Sequence, residues 1–167
     1  MHRFEIFVDS DGVIADFDGY VRQKFGKRVS DFQPKGTFWQ ALTHHDTHVE
    51  KFFRNLPKMS DADALMTFLL AGSFKSVKIL TACGYTPKDA KEQKVEWYAE
   101  HYPGVECIVV SKSPDKAEYA HPYSILIDDR DKSIDPWRAK GGIGILHTSA
   151  EDTIAQLRAI VESMQAA

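Results

Sequence analysis

Only two cysteines occur in the 167 residues, Cys83 and Cys107, so no disulfide framework is expected to hold this chain together. Each lies beside or within an apolar run with the look of a core strand, and both are expected as reduced, buried or half-buried thiols. No block of Lys and Arg is long enough to track a nucleic-acid backbone. With 21 Lys and Arg against 24 Asp and Glu, a net charge of -3, polymeric DNA or RNA is not an expected partner. No apolar stretch approaches the length of a membrane span, and Met1-His2-Arg3 leads straight into the first apolar run. The expectation is a cytoplasmic protein with no leader and no membrane contact. Internal repeats and low-complexity segments are absent. Gly141-Gly142-x-Gly144 leads into an apolar run rather than out of one, which excludes a dinucleotide-binding loop and leaves a turn.

What is present is a core. Hydrophobic residues make up 43% of the chain, enough for one compact domain. Five short apolar runs, at 4–8, 77–80, 105–110, 124–127 and 143–146, are bounded by turn residues, as strands covered on both faces are. Helical spacing lies between them: Leu65, Met66 and Leu69 within 61–71, a segment 87–102 opened by Thr86-Pro87 as N-cap and N1, and a last helix capped by Thr148-Ser149. Alternation of this kind predicts an α/β fold, a doubly wound parallel (Rossmann-like) sheet with right-handed crossovers. The first crossover is too long, since roughly forty-five residues separate Asp16 from Asp61 where about a dozen suffice. Residues 1–16 and 61–167 are therefore expected to form the core domain, and 17–60 a small, mostly helical insertion.

Ligands of doubly wound sheets bind beyond the carboxyl ends of the strands. Polar residues stand at those ends here: Asp9 and Asp11 after the first run, Thr81 after the second, Ser111 and Lys112 after the third, Asp128 and Asp129 after the fourth. Asp9-Ser10-Asp11-Gly12 is the sharpest of these. Two carboxylates crowded at one strand end repel and perturb each other's proton affinity, which calls for a cation or a chemical use. A metal-assisted phosphoryl-transfer site supplies both, with one carboxylate attacking phosphorus and the other handling the leaving group's proton.

Asp9-x-Asp11-Gly12-Val13-Ile14-Ala15-Asp16-Phe17 resembles the first motif of the haloacid dehalogenase (HAD) superfamily, and in particular the D-x-D-G-V-L-A-D-F signature of the 5'(3')-deoxyribonucleotidases. Thr81 matches the superfamily's second motif. Lys94-x-x-Trp97 resembles the K-x-x-W of these nucleotidases, and Asp115-Lys116 a D-K pair before the fourth motif. Ile125-Leu126-Ile127-Asp128-Asp129-Arg130 matches that motif, L-I-D-D-R. The resemblance implies a phosphomonoesterase that works through an aspartyl-phosphate on Asp9, with Asp11 as acid and base. It implies Thr81 and Lys94, with Lys116, as phosphate-binding groups, Lys91 and Lys112 being rivals. Mg²⁺ would be held by Asp9, the Asp11 carbonyl and Asp129, with Asp128 holding a metal water or the lysine.

The implied substrate is a small phosphate ester, most readily a (deoxy)nucleoside monophosphate. Phe52-Phe53-x-x-Leu56-Pro57 resembles the family's junction between cap and core, and the insertion would be a cap. A base stacks on an aromatic face for about 1–3 kcal/mol, so Phe17, Phe38, Trp39 and Phe53 are candidates for a base slot. Left open are another small ester, a phosphotransferase, a non-catalytic phospholigand-binding module, the choice of base and sugar, and the oligomeric state. His44-His45-x-x-His48 offers four-apart histidines, but without Cys or acidic partners at defined spacing exposed polar residues are the better account.

Overall fold

A computed structural model of the chain describes residues 3–165; the first two and last two positions, which the expected core bounds take in, lie outside the described residues. Five parallel strands form one sheet in the order β3-β2-β1-β4-β5: β1 Glu5–Val8, β2 Ser76–Ala82, β3 Glu106–Val110, β4 Ser124–Asp128 and β5 Ile143–Leu146. The central strand, β1, pairs with β2 on one side and β4 on the other, with Val8 opposite Ile79 and Ile127. The winding direction reverses between β1 and β4, so the carboxyl ends of these two strands border the crevice of a doubly wound sheet.

Period-two alternation divides the apolar residues between the two faces. Ile6, Val8, Ile79, Ile125 and Ile127 join the larger cluster together with Leu65 and Leu69 of α3 (Ala62–Ala71), Trp97 and Tyr98 of α4 (Ala90–His101) and Leu157 of α6 (Ala150–Gln165). Phe7, Leu80 and Leu126 face Ile134 and Trp137 of α5 (Asp131–Ala139). Helix α5 follows Asp129-Arg130 directly, and its short length and internal Pro136 hide it from a periodicity reading. Helix α4 begins later than the sequence predicts: Asp89 is its N-cap, and Thr86-Pro87 belongs to the preceding turn, where the Pro87 carbonyl accepts the Ala90 N–H at 3.1 Å. Ser149 caps α6 as expected, accepting the Asp152 N–H at 3.1 Å.

Residues 17–60 carry α1 (Phe17–Phe25), a 3₁₀ turn Val29–Asp31 and α2 (Thr37–Ala41). Asp16 caps α1 by accepting the Gly19 N–H at 2.9 Å, and Gly26, left-handed at φ 67°, ends it. The insertion leaves and re-enters the core at one place. There the Asp16 N–H donates to the Pro57 carbonyl and the Met59 N–H to that of Ile14, both at 2.8 Å.

Candidate active site

The turn after β1 brings Asp9 and Asp11 together. The Ser10 carbonyl accepts the N–H groups of Val13, Ile14 and Ala15 at 2.9–3.2 Å, winding the chain tightly behind the two carboxylates. Gly12 makes that turn possible twice over. Its φ is +85°, and a Cβ there would stand 2.3 Å from Asp129 Oδ2. Asp9 is tied to the neighbouring strand by donation from its N–H to the Ile127 carbonyl at 2.8 Å, so the register of β1 and β4 sets Asp9 beside Asp128.

Two buried lysines divide the acids between them. Lys116, 2% exposed, lies in the 3₁₀ stretch Ser113–Tyr119 and donates to Asp9 Oδ1 at 2.7 Å and Asp128 Oδ2 at 2.6 Å. Lys94, on α4 and equally buried, donates to Asp11 Oδ2 at 2.7 Å and to the Thr81 hydroxyl at 3.2 Å. Thr81 accepts in that bond and keeps its own O–H free to donate. Both lysines therefore meet the site, with different partners. Of the rivals, Lys91 is exposed on the outer face of α4, and Lys112 is exposed on the cleft wall.

The carboxylates are crowded. Asp9, Asp128 and Asp129 each bring an oxygen within 4.8 Å of the others. Burial and the negative charges of Asp9 and Asp128 push Asp129 up to about 7. Burial and Asp9 raise Asp128 as well, against the pull of Lys116. Burial raises Asp11, again against its lysine, and leaves Asp11 Oδ1 without a hydrogen-bond partner. Burial disfavours the Lys116 ammonium, but Asp9 and Asp128 outweigh it and hold its pKa above the usual value. Asp128 uses both oxygens, one on Lys116 and one on the Arg130 N–H at 2.9 Å. Among the described residues no side chain hydrogen-bonds the Asp129 carboxylate, on which only the charge of Arg130 pulls, and this makes it the freer of the pair for a cation. An all-oxygen set of this kind suits Mg²⁺.

A cavity of about 450 Å³ opens over Asp9, Asp11 and Asp129. Lys94 and Asp128 do not line it but are bonded to Asp11 and Lys116, which do, and Thr81 is bonded in turn to Lys94. Phe17, Trp39 and Phe53 give it an aromatic wall. Phe38 does not reach it: the ring is 1% exposed and sits among Phe17, Phe25, Phe32 and Phe52, with centroids 5.4–6.0 Å away. An insertion without strands must build its core from such rings, and Phe38 is at its centre. His44, His45 and Asp46 cluster on the exposed outside, with His48 also exposed.

Several contributors carry no motif signal. Tyr98 donates to Ser10 Oγ at 2.8 Å from a fully buried position. Gln93 accepts backbone N–H groups of the insertion. Tyr85, 74% exposed, and Cys83 line the cavity from the loop after β2. A buried stripe on α4 at 93, 94, 97 and 98 is the one pattern that points to the first two, because it puts polar side chains on the inward face.

The sequence profile of the family described as "5' nucleotidase, deoxy (Pyrimidine), cytosolic type C protein" matches residues 3–165. No curated protein matches the chain by sequence. Among solved structures, a dehalogenase is similar over 86% of this chain and 84% of its own, at 14% identity and a TM-score of 0.53. The HAD-hydrolase YfnB from Bacillus subtilis, bound to magnesium, is similar over 86% of both chains at 12% identity and a TM-score of 0.51. The L-2-haloacid dehalogenase from Xanthobacter autotrophicus is similar over 94% of this chain and 82% of its own, at 12% identity and a TM-score of 0.50. These likenesses show a shared fold.

Proposed function

The chain belongs to the 5' nucleotidase, deoxy (Pyrimidine), cytosolic type C family and is a hydrolase of HAD fold, and on that premise we propose that it is a Mg²⁺-dependent phosphomonoesterase acting on (deoxy)nucleoside monophosphates. The observation that carries this reading is the meeting of Asp9, Asp11, Lys94 and Lys116 under a cavity with an aromatic wall.

Asp9 is the nucleophile. Lys116 holds its Oδ1, which leaves the other oxygen to attack phosphorus in line with the ester bond. As the Asp9–phosphorus bond forms and the ester P–O bond breaks, Asp11 gives a proton to the departing alkoxide; burial raises that carboxyl's pKa above the ordinary value, against the pull of Lys94. Asp11 then takes a proton from water, whose oxygen attacks the aspartyl-phosphate and frees Asp9. Lys94 sets positive charge beside Asp11 and Thr81, where the phosphoryl oxygens gather, and the Thr81 hydroxyl donates to one of them. The Asp9 and Asp129 carboxylates and the Asp11 carbonyl would hold Mg²⁺, and Asp128 would orient the set through Lys116. When bound, the ion neutralises the phosphoryl charge against an anionic nucleophile.

Residues 17–60 act as the cap over a core of 1–16 and 61–167, and Phe17, Trp39 and Phe53 form the base slot. The family's description supports deoxypyrimidine nucleotides as first substrates and the cytoplasm as the compartment. Among the described residues no helix is long and apolar enough to cross a membrane.

The test is phosphate release from deoxypyrimidine and other 5'- and 3'-nucleoside monophosphates, sugar phosphates and phenyl phosphate, with Mg²⁺ or EDTA, beside Asp9→Asn. Turnover should need Mg²⁺, favour a nucleotide and fall at least about 10³-fold in the variant. Full activity in Asp9→Asn would refute the mechanism; equal turnover of all esters would refute the substrate.

A further inference from the structure

The aromatic wall of the cavity is not held by the cap alone. Phe53 sits in an irregular stretch before the insertion returns to the core, and its backbone is fastened to α4. Gln93, 4% exposed, accepts the N–H of Phe53 at 2.9 Å and that of Arg54 at 3.2 Å, both on Oε1. Trp97 adds a bond from its Nε1 to the Leu56 carbonyl at 2.8 Å, and Arg54 pairs with Glu96 and Glu100 on the outside of the same helix. The next residue after Gln93 is Lys94, whose ammonium stands 4.6 Å from the centre of the Phe53 ring while donating to Asp11 and Thr81. One turn of α4 thus holds the phosphate end of the cleft with one side chain and the backbone of the aromatic wall with its neighbour.

We propose that Gln93 is a positioning residue for substrate selection: by fixing Phe53 relative to Lys94, it sets the distance between phosphoryl group and base that the cleft accepts. The proposal rests on the phosphomonoesterase reading above. A carboxamide oxygen has two acceptor sites, and Gln93 spends both on wall amides, the buried one of Phe53 and the half-buried one of Arg54. A side chain of similar bulk without that oxygen frees the wall to shift while Lys94, Thr81 and Asp11 keep their own bonds. Selection then suffers more than the chemical step.

Gln93→Leu removes the acceptor, and Gln93→Glu keeps it. In Gln93→Leu the amides of Phe53 and Arg54 should exchange faster with solvent, and KM for the preferred nucleotide should rise about tenfold, as expected when a base contact is lost. The change in kcat should be far smaller, and inhibition by inorganic phosphate, which feels only the phosphate end, should hold. Gln93→Glu should restore amide protection and most of KM. If the active wild type prefers a nucleotide and Gln93→Leu leaves KM unmoved, or lowers kcat and phosphate affinity together, the inference fails by itself. If Gln93→Glu behaves like Gln93→Leu, it fails as well. A folded wild type that turns over no ester overturns the hydrolase reading, and the selection role with it.

Discussion

On the core side of the cleft, Asp9, Thr81 and Asp128 stand at the ends of three adjacent parallel strands, whose ladders leave each backbone little freedom. Their side chains are charged or hydroxylic, buried, and joined in short bonds to two lysines. On the cap side, Phe17, Trp39 and Phe53 ride on a nine-residue helix, a five-residue helix and an irregular return segment. Their ring partners are met at tilted or edge-on angles for the most part, and Phe53 also meets α4, through Lys94 and Gln93. The core side depends on register and charge balance, so its parts fail together. The cap side depends on shape, and a shape tolerates partial change. In the proposed function, chemistry and choice of substrate thus rest on different physics.

The strongest way to break the core side is Lys116→Met. It leaves Asp9 and Asp128 facing each other without their cation, and in EDTA it should cost about 3–5 kcal/mol in urea unfolding as well as most of the turnover. Phe38→Ala is the matching test of the cap. Loss of a fully buried ring should cost about 3–5 kcal/mol of stability, with phosphate inhibition intact because Phe38 touches no charged part of the site. If Phe38→Ala damages phosphate binding as deeply as Lys116→Met does, the two sides are not separate.

Metal removal sharpens the contrast next. Mg²⁺ at a hundred times its Kd should stabilise the fold by about 2.7 kcal/mol. Without it, Asp129 titrates near 7 in the folded chain and near 3.9 in the unfolded one. A pKa raised by folding contributes stability that is complete below about pH 4 and lost as the pH climbs through 7. Urea unfolding in EDTA should therefore weaken over that window, and Asp129→Asn should flatten the loss. An unchanged slope in the variant would remove Asp129 from the repelling cluster. The smallest effect is expected from Trp39→Ala, a half-buried ring on the cleft wall. Nucleotide KM should rise about 5- to 150-fold, the equivalent of about 1–3 kcal/mol of lost stacking, with phenyl phosphate turnover and stability close to wild type.

Much of the core side is legible in the sequence because its rule is local. A polar residue just after an apolar run lies at a strand's carboxyl end, and this places Asp9, Thr81, Asp128 and Asp129 before any contact is known. The partners of the lysines are not legible. Lys94 and Asp11 are 83 residues apart, Lys116 and Asp9 107, and nothing in their spacing says which acid each will meet. The cap is harder still. Phe38 and Trp39 are neighbours of the same chemical type, yet one is buried in the ring cluster and the other lines the cleft. Only the tilt of a single-turn helix separates them, and tertiary packing sets that tilt. Helix α5 escapes for another reason, since Ile134 and Trp137 are too few to show a period.

The crossing of residues 14–16 with 57–59 has a consequence for how such a protein can change. Because the cap departs and returns through one pair of backbone bonds, the sheet experiences it as a single closed loop. The entropy of closing a loop grows only slowly with its length, about 0.6 kcal/mol per doubling. A longer, shorter or foreign cap spliced between those bonds would cost little in loop entropy, provided it again buries apolar rings against the core and presents an anchor to Gln93. The junction is a graft point, and new substrates can be tried there without rewriting the reaction.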